Sequence, residues 1–220
     1  MMITTHSGCD GTGMNTMEYL IYASSLKVDA IEIDIRRDID GKLVLTHDPV
    51  GKNRLLSIET AFDFLKDKLI KINCDLKVTN LEFDVLKKAK EFGVQDRIIL
   101  TGSITDPMKF RKQSHVAEVY INAEELIPNF YKMINDNEQV FRLMCSKCLE
   151  AGYNVVNLDY HVCDEIMIKQ CSQMGLSLSL WTVDDDCAMG KMMEYSVVSN
   201  ITTNHPQKAV CLRNAMWKTK

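Results

Sequence analysis

Residues 155–181 read VVNLDYHVCDEIMIKQCSQMGLSLSLW. A β-branched and apolar run at 155–158 is followed by a segment of helical period at 164–174 and then by a second strand-like run at 176–181. Gly175 lies between the helical segment and the second run, which suits a glycine in the left-handed conformation just past a helix end. The stretch therefore predicts two parallel strands joined by a crossover helix.

The same alternation of strand and helix continues along the rest of the chain. Gly93 and Gly152 each follow a helical pattern and precede a strand, as Gly175 does. We count eight strand candidates, at residues 2–5, 30–35, 69–76, 98–101, 118–121, 155–158, 176–181 and 200–203. Helical segments alternate with them at residues 16–26, 58–66, 79–92, 107–113, 129–151, 164–174 and 188–195, with a last one after Pro206.

Eight strand–helix units predict an α/β fold of the (β/α)8 TIM-barrel class. Because 220 residues is short for this fold, we expect brief loops and a single barrel domain over residues 1–220. An open, doubly wound sheet would show the same alternation and is the alternative fold.

One insertion interrupts the alternation after the second strand. Residues 37–46 contain Asp40-Gly41 between two alternating runs, which is a strong hairpin signal. The hairpin would return the chain to His47, close to the carboxyl ends of the strands.

The composition limits the classes of partner. Lys and Arg total 26 against 30 Asp and Glu, so the net charge of −4 offers no basic surface to nucleic acid. No apolar run approaches the roughly 18 residues of a membrane span, and the N-terminus is too short and polar for a signal peptide. We expect a cytoplasmic protein with a small-molecule substrate, no nucleic-acid partner and no stable membrane insertion, and the oligomeric state stays open.

The eight cysteines are scattered through apolar segments, where a reduced thiol packs as a small hydrophobe. Cys145 and Cys148 have C-x-x-C spacing, but no second pair or neighbouring histidine completes a zinc site. We interpret these residues as reduced thiols without a metal or redox function.

Carboxylates lie near the ends of two neighbouring strand candidates. Glu32 and Asp34 stand in an otherwise apolar stretch, and their i, i+2 spacing puts both on one side of a strand, which would be the barrel interior. Asp75 can add a third carboxylate from the next strand. A hard divalent cation with oxygen ligands would stabilise all three in ionised form, whereas a structural ion network with arginines or lysines is the alternative.

Two histidines and a lysine accompany these carboxylates. His6 ends the first strand and His47 follows the hairpin, and an imidazole pair can divide general-acid and general-base duties. Lys77 lies two residues after Asp75, so it would point to the same face and could meet a phosphate oxygen. Taken singly, each histidine could be structural and the lysine merely solvated.

Short motifs carrying these residues follow one another in a fixed order. They are His6-Ser7-Gly8, Asn15-Thr16, residues 29–34, residues 40–44, His47-Asp48 and Asp75-Leu76-Lys77. In this order the sequence resembles the glycerophosphodiester phosphodiesterase family. The resemblance continues at residues 179–184, which look like that family's tryptophan-threonine-valine-asparagine strand, and at residues 202–206, which look like its closing threonine-aspartate-x-proline turn.

The resemblance implies a metal-dependent phosphodiesterase. It implies that Glu32, Asp34 and Asp75 bind one divalent cation, Mg²⁺ or Ca²⁺. It also implies acid and base roles for His6 and His47, without showing which histidine has which role. Phosphate contact by Lys77 follows in the same way, and we place Trp181 and Ser7 with Lys77 among the expected substrate-binding residues.

Several positions depart from the family pattern. Ser7 stands where an arginine is usual, which removes a bidentate phosphate donor, and Met14 replaces a glutamate. Asp75 replaces a longer glutamate, and Asn204 replaces the aspartate of the closing turn. Only residues 48–57 separate His47 from the next helix, so the usual inserted subdomain is missing and we expect a more open cleft.

These observations leave three functions open. The leading hypothesis is hydrolysis of a glycerophosphodiester, to sn-glycerol 3-phosphate and an alcohol, or of a related small phosphodiester. The second is a catalytically weakened barrel that binds a phosphate-containing ligand, which Ser7 and Met14 favour. The third is a lysophospholipase D-like enzyme, for which the sequence shows no membrane-docking surface.

Overall fold

A computed structural model describes residues 1–51, 54–113, 117–134 and 137–218. Nine parallel strand segments form a ring at its centre, with hydrogen-bonded neighbours in the order β7-β6-β5-β2-β1-β11-β10-β9-β8. They are β1 (Met2–Thr5), β2 (Ala30–Arg37), β5 (Lys71–Leu76), β6 (Ile98–Gly102), β7 (Glu118–Val119), β8 (Ile121–Asn122), β9 (Val155–Asp159), β10 (Ser177–Trp181) and β11 (Val198–Thr203).

The two short segments β7 and β8 occupy one position in the ring. Tyr120 separates them, and its N–H donates to the carbonyl oxygen of Leu100 at 3.0 Å. Because β7 pairs with β6 while β8 pairs with β9, the ring has eight strand positions and is nearly closed. The TIM barrel predicted from the alternation is confirmed, and the open doubly wound sheet is wrong.

Alternate residues of each strand point into the barrel. At its amino end the interior is apolar, with Ala30, Ile99, Tyr120 and Val155 forming a small buried cluster against Met2. Toward the carboxyl ends of the strands the interior becomes polar. Buried polar side chains there include Thr4, Asn73, Asn157, Ser179 and Asn200.

Helices cover the outside of the ring and bury a second, larger apolar layer against the strands. N-terminal caps fix several of them: the side chains of Thr16, Ser57, Asp164 and Asp185 each accept a hydrogen bond from a first-turn N–H. The helices are α1 (Met17–Ser25), α2 (Ile58–Leu65), α3 (Glu82–Glu91), α4 (Pro107–Gln113), α5 (Ala123–Leu126), α6 (Phe130–Met133), α7 (Glu138–Glu150), α8 (Glu165–Gln173), α9 (Asp186–Glu194) and α10 (Pro206–Lys218). Two single 3-10 turns, Gln95–Arg97 and Tyr160–Val162, complete the described elements.

The predicted hairpin is present. β3 (Leu43–Leu45) pairs antiparallel with the end of β2, and Gly41 in the turn has a φ of +83°. A further two-residue strand, β4 (Leu56–Ser57), pairs with β3 and was not predicted. The hairpin places His47 over the carboxyl end of the barrel, as expected.

One predicted helix is wrong in its extent. The structure has two helices, α6 and α7, where a single helix over residues 129–151 was expected, and residues 135 and 136 lie outside the described residues. Asn137 caps the start of α7, where its side chain accepts hydrogen bonds from the N–H groups of Gln139 and Val140, so a helix boundary falls inside the predicted segment. The short helix α5 was also missed, since four residues are too few to show a helical period.

Six of the eight cysteines are buried as predicted, whereas Cys187 and Cys211 are exposed. All eight are free thiols, and Cys145 and Cys148 are fully buried on the inner face of α7. The glycines expected to end helices, Gly93, Gly152 and Gly175, all have positive φ angles. Among the described residues, no helix is both long and apolar enough to cross a bilayer.

Candidate functional site

Three carboxylates meet inside the barrel at its carboxyl end. Glu32 and Asp34 on β2 and Asp75 on β5 each present an oxygen, and these oxygens lie within 4.8 Å of one another. The carboxylates are close together because of the register of the two strands, in which Asp34 pairs with Asp75. The expectation that Glu32 and Asp34 point to the same side of β2 agrees with this placement.

Neighbouring strands hold the carboxylates in place through side-chain hydrogen bonds. Asn73, which pairs with Glu32 across the strands, donates to Glu32 Oε2 at 3.2 Å. The hydroxyl of Thr101 on β6 lies 3.0 Å from Asn73 Oδ1 and 3.2 Å from Asp75 Oδ1. The carboxylates are thus aligned by the same inward-facing alternation that orders the barrel interior.

Asp34 is tied to the loop that follows β1. Asn15 Nδ2 donates to Asp34 Oδ2 at 2.7 Å, while the backbone N–H of Asp34 donates to Asn15 Oδ1 at 2.9 Å. Asn15 itself has a φ of +56°, which asparagine tolerates better than most residues. This reciprocal pair fixes the loop over the acidic cluster.

Lys77 lies between two of the carboxylates. Its Nζ is 2.9 Å from Asp34 Oδ1 and 2.5 Å from Asp75 Oδ2. Burial opposes its charge, but Asp75 and Asp34 outweigh burial and raise the pKa of Lys77, so the ammonium stays charged. Asp34 Oδ1 has this ion pair, yet no described donor reaches it with hydrogen-bond geometry.

The charge of the cluster is not balanced by Lys77 alone. Burial comes first among the causes that raise the pKa of Glu32 well above its usual value, followed by the charges of Asp75 and Asp34. For Asp34, burial also opposes ionisation, but Lys77 lowers its pKa below the usual range. A protein that keeps all three carboxylates ionised needs a further positive charge beside Glu32.

The donor set suits a hard divalent cation. All three side chains offer oxygen ligands, and among the described residues no other group of three or more acidic, cysteine or histidine side chains comes together in this way. Apart from its ion pair with Lys77, the buried Asp34 Oδ1 has no hydrogen-bond partner among the described residues and keeps a lone pair for a cation. Glu32, Asp34 and Asp75 therefore fit a Mg²⁺ or Ca²⁺ ion.

His6 stands beside this cluster at the end of β1. Its Nε2 lies 3.9 Å from Glu32 Oε1, and its side chain is one-quarter exposed. Burial lowers the pKa of His6, and the nearby Asp34 charge opposes that shift only in part. The imidazole is therefore mostly sheltered from solvent and lies beside Glu32.

His47 approaches the same cleft from the hairpin side. Its side chain is half exposed, and Nδ1 lies 3.0 Å from Asp48 Oδ1. Arg36 Nε donates to the carbonyl oxygen of His47 at 2.9 Å, which holds the loop against the barrel. The two histidines thus share one cleft but differ in surroundings, since His6 borders buried carboxylates and His47 borders solvent.

The cleft has a volume of about 300 Å³, and all but one of its lining residues are polar or charged. About half of the lining residues were not predicted from the sequence. These residues lie at inward-facing positions of the strands or in the segments just after the strands. The lining residues are His6, Glu32, His47, Asp75, Lys77, Thr101, Asn122, Glu124, Asn157, Trp181, Thr182 and Thr202.

Two of the predicted substrate-binding residues have contrasting positions. Trp181 lines the cleft at the end of β10, where its ring packs edge-to-face on Tyr131 with centroids 6.2 Å apart. Ser7 is fully buried near Asp34, whose pKa its hydroxyl helps to lower, and it is not among the residues that line the cleft. A substrate contact by Ser7 does not fit this placement.

Gly102 supports Asp75 from the next strand. A Cβ at Gly102 would lie less than 3.0 Å from Asp75 Oδ1 and from the backbone of Leu76, and the φ of +80° also favours glycine. Only glycine therefore allows the backbone of β6 to pass this close to the carboxylate.

A barrel whose strand ends combine an oxygen-donor cation site with a buried lysine and two imidazoles has the groups of a phosphoric diester hydrolase. The profile of the Glycerophosphoryl diester phosphodiesterase family matches residues 6–146, which is more than half of the chain. The chain belongs to this family, whose members depend on a divalent metal.

Similar proteins span nearly the whole chain. The Bacillus subtilis protein YhdW, provisionally named a glycerophosphodiester phosphodiesterase, is 21% identical over 94% of this chain and 95% of its own. An Agrobacterium tumefaciens structure with a similarly provisional assignment superimposes with a TM-score of 0.84 at 14% identity, covering 99% of both chains. An Oleispira antarctica phosphodiesterase in complex with the product sn-glycerol-3-phosphate gives a TM-score of 0.75 at 13% identity, covering 97% of both chains.

Asp184 and Asn204, two positions that depart from the family pattern, contact each other in the structure. Asp184 stands at the family's asparagine and Asn204 at its aspartate, and these two residues are hydrogen-bonded. Asp184 accepts from the backbone N–H and from Nδ2 of Asn204, both at 2.8 Å. An acid–amide pair therefore joins the ends of β10 and β11.

Proposed function

We propose that this phosphodiesterase hydrolyses a glycerophosphodiester to sn-glycerol 3-phosphate and an alcohol. The observation that carries the proposal is that both histidines, Lys77 and two of the carboxylates line one cleft, with Asp34 directly behind them. The product complex of the Oleispira antarctica relative supports the choice of a glycerophosphate substrate.

The cation is Mg²⁺ or Ca²⁺, held by Glu32, Asp34 and Asp75. Ligands made only of oxygen favour these hard ions over thiolate-seeking metals. When bound, the ion offsets negative charge on the phosphate oxygens. Asp75 is shorter than the family's glutamate and has less reach toward a cation. Its position therefore depends on Thr101, which hydrogen-bonds to it, and on Gly102, which leaves room for it.

Lys77 and Trp181 contact the substrate. The ammonium of Lys77 stays charged at neutral pH because two carboxylates flank it, so it can donate to a phosphate oxygen by a charge-assisted hydrogen bond. Trp181 offers an aromatic wall on the other side of the cleft. No substrate role is assigned to the buried Ser7.

His6 and His47 exchange protons with the substrate, one as base and one as acid. The base takes a proton from the attacking oxygen, which belongs either to water or to the adjacent glycerol hydroxyl. The acid gives a proton to the departing alkoxide, and positioned proton transfer of this kind contributes about 100-fold to 10,000-fold in rate.

Phosphorus-31 NMR of reaction mixtures tests the proposal. Glycerophosphoethanolamine incubated with the protein and Mg²⁺ or Ca²⁺ should give one new resonance at the position of sn-glycerol 3-phosphate, with a cyclic phosphate before it if the glycerol hydroxyl attacks. An unchanged spectrum alongside measurable binding of glycerol 3-phosphate would favour a phosphate-binding barrel instead.

A further inference from the structure

A second cavity adjoins the polar cleft at His47. It has a volume of about 580 Å³ and lies between the start of α1 and two described stretches, residues 45–48 and 54–56. His47 lines both cavities, so one imidazole forms the boundary between them. The cavity is lined by Met14, Asn15, Thr16, Met17, Leu45, Thr46, His47, Asp48, Arg54, Leu55 and Leu56.

The two cavities differ in chemistry. Five of the eleven residues that line the second cavity are apolar, whereas Trp181 is the one apolar member among the twelve residues around the cleft. Among the described residues that line the second cavity, the charged ones are Asp48 and Arg54, which have opposite signs. An apolar pocket without net charge does not select a cationic group.

Met14 forms part of this apolar wall although half of its surface is exposed. A Cβ on Gly8 would come within 2.8 Å of Met14 Cα and Cγ, so the methionine packs closely over the glycine that follows Ser7. The next residue, Asn15, is hydrogen-bonded to Asp34 in the acidic cluster. The position of Met14 is therefore fixed relative to the site, and its exposure does not result from a loose loop.

We propose that the second cavity binds the leaving alcohol of the phosphodiester, that this alcohol is apolar, and that Met14 determines the preference. The inference rests on the proposed function, because it names the alcohol that the hydrolysis releases. Met14 is the position where the family has a glutamate, so this chain replaces a charge by a thioether at the mouth of the pocket.

The location of His47 assigns the proton transfers. With the phosphoryl group in the polar cleft and the alcohol in the second cavity, the breaking bond between phosphorus and the alcohol oxygen lies beside His47. The electron pair of that bond goes to the alcohol oxygen, which takes a proton from His47. The new bond forms from the attacking oxygen to phosphorus, and the proton of the attacking oxygen goes to His6.

A series of methyl, butyl and hexyl esters of sn-glycerol 3-phosphate tests the preference. The three alcohols are similar in acidity, so their intrinsic reactivity is matched while the apolar surface grows. Each methylene that leaves water contributes about fourfold. Burial of two to three methylenes in the open pocket should therefore raise kcat/KM about 30-fold from the methyl to the hexyl ester.

Substitution of Met14 should change this ratio. We expect Met14→Glu to lower the hexyl-to-methyl ratio of kcat/KM about tenfold, and Met14→Leu to preserve it. Met108→Glu is the matched control, because Met108 on α4 is also 50% exposed and is not among the residues that line either cavity. A Met108→Glu variant should keep the wild-type ratio.

The outcomes separate this inference from the proposed function. Hydrolysis of all three esters at equal kcat/KM overturns the apolar-alcohol inference and leaves the phosphodiesterase intact. Faster hydrolysis only when an alkyl chain is attached to the glycerol that is retained overturns the leaving-alcohol assignment. If no ester is hydrolysed, equilibrium binding of the corresponding methyl and hexyl phosphonates decides, since tighter binding of the hexyl compound supports the pocket and equal binding overturns it.

Discussion

The inner wall of the site, formed by Glu32, Asp34 and Asp75, is built differently from its outer rim, formed by Met14, His47 and Asp48. The carboxylates of the inner wall project from paired strands and are held by hydrogen bonds from the barrel interior. The rim residues lie on loops, and His47 has only its neighbour Asp48 as a side-chain partner among the described contacts. The barrel thus fixes the positions of the three carboxylates, which we propose bind the cation, whereas the rim residues are not held in this way.

Alanine substitution of the two histidines, His6 beside the inner wall and His47 on the rim, should have the largest effect. Both His6→Ala and His47→Ala should lower kcat by about 100-fold to 10,000-fold. His161→Ala is a matched control, because His161 is paired with Asp159 as His47 is with Asp48 but is absent from the cleft. Wild-type kcat in either cleft variant would remove that histidine from the mechanism.

Substitution of Gly102 should act on the inner wall alone. Gly102→Ala would press a methyl group on Asp75, and disturbance of a residue that orients a metal ligand lowers metal affinity by about 10-fold to 100-fold. Titration calorimetry with Mg²⁺ or Ca²⁺ measures this change.

Gly175→Ala controls for backbone strain in that experiment. Gly175 has a φ of +72°, close to the +80° of Gly102, but an added Cβ there would meet nothing within 4 Å. Equal loss of metal affinity in both variants would show that strain, and not contact with Asp75, is the cause.

Exchange of Asp184 and Asn204 should give the smallest effect. Loss of one hydrogen bond in either single variant, Asp184→Asn or Asn204→Asp, should lower the free energy of unfolding by about 1 kcal/mol. The double exchange restores the family's order and should recover most of that loss. Denaturant unfolding of the wild type, both single variants and the double variant measures these free energies. If the loss in the double variant equals the sum of the two single losses, the two residues are not coupled.

The same pair predicts a pH dependence of stability. Burial opposes ionisation of Asp184, but hydrogen bonds from Asn204 and Thr203 outweigh burial and lower its pKa. A lowered pKa in the folded state stabilises the protein above about pH 4 and loses that contribution as the pH falls further. The Asp184→Asn variant should show a shallower fall in unfolding free energy below pH 4 than the wild type, and an identical fall would exclude this contribution.

The sequence was sufficient for the inner wall because strands impose a strict alternation. The i, i+2 spacing of Glu32 and Asp34 predicted their common direction, and the order of the motifs predicted the barrel. Asn73 lies two residues before Asp75 on β5, and Thr101 pairs with Asp75 from β6. Both therefore point into the barrel as Asp75 does, and the strand alternation could have predicted them. They were missed because neutral polar residues in strands carry no charge signal.

The rim and the loops were less predictable because non-local packing shapes them. Ser7 follows a site histidine, yet the turn after β1 buries it completely. The second cavity lies between the start of α1 and the residues at β3 and β4. These two parts of the chain are about 30 residues apart in sequence, so no local sequence pattern predicts that they lie close together. The helices α5 and α6 have four residues each, too few for a periodic signal.

Hydrolysis by metal-stripped protein is the most direct test of a cation site built from Glu32, Asp34 and Asp75. Release of sn-glycerol 3-phosphate should be absent after chelation and should return on addition of Mg²⁺ or Ca²⁺. The Glu32→Gln variant should bind the ion more weakly and recover little activity, while Glu59→Gln, on the surface at α2, should recover fully. Undiminished turnover in the stripped protein, or full recovery of Glu32→Gln at wild-type metal concentrations, would contradict the account.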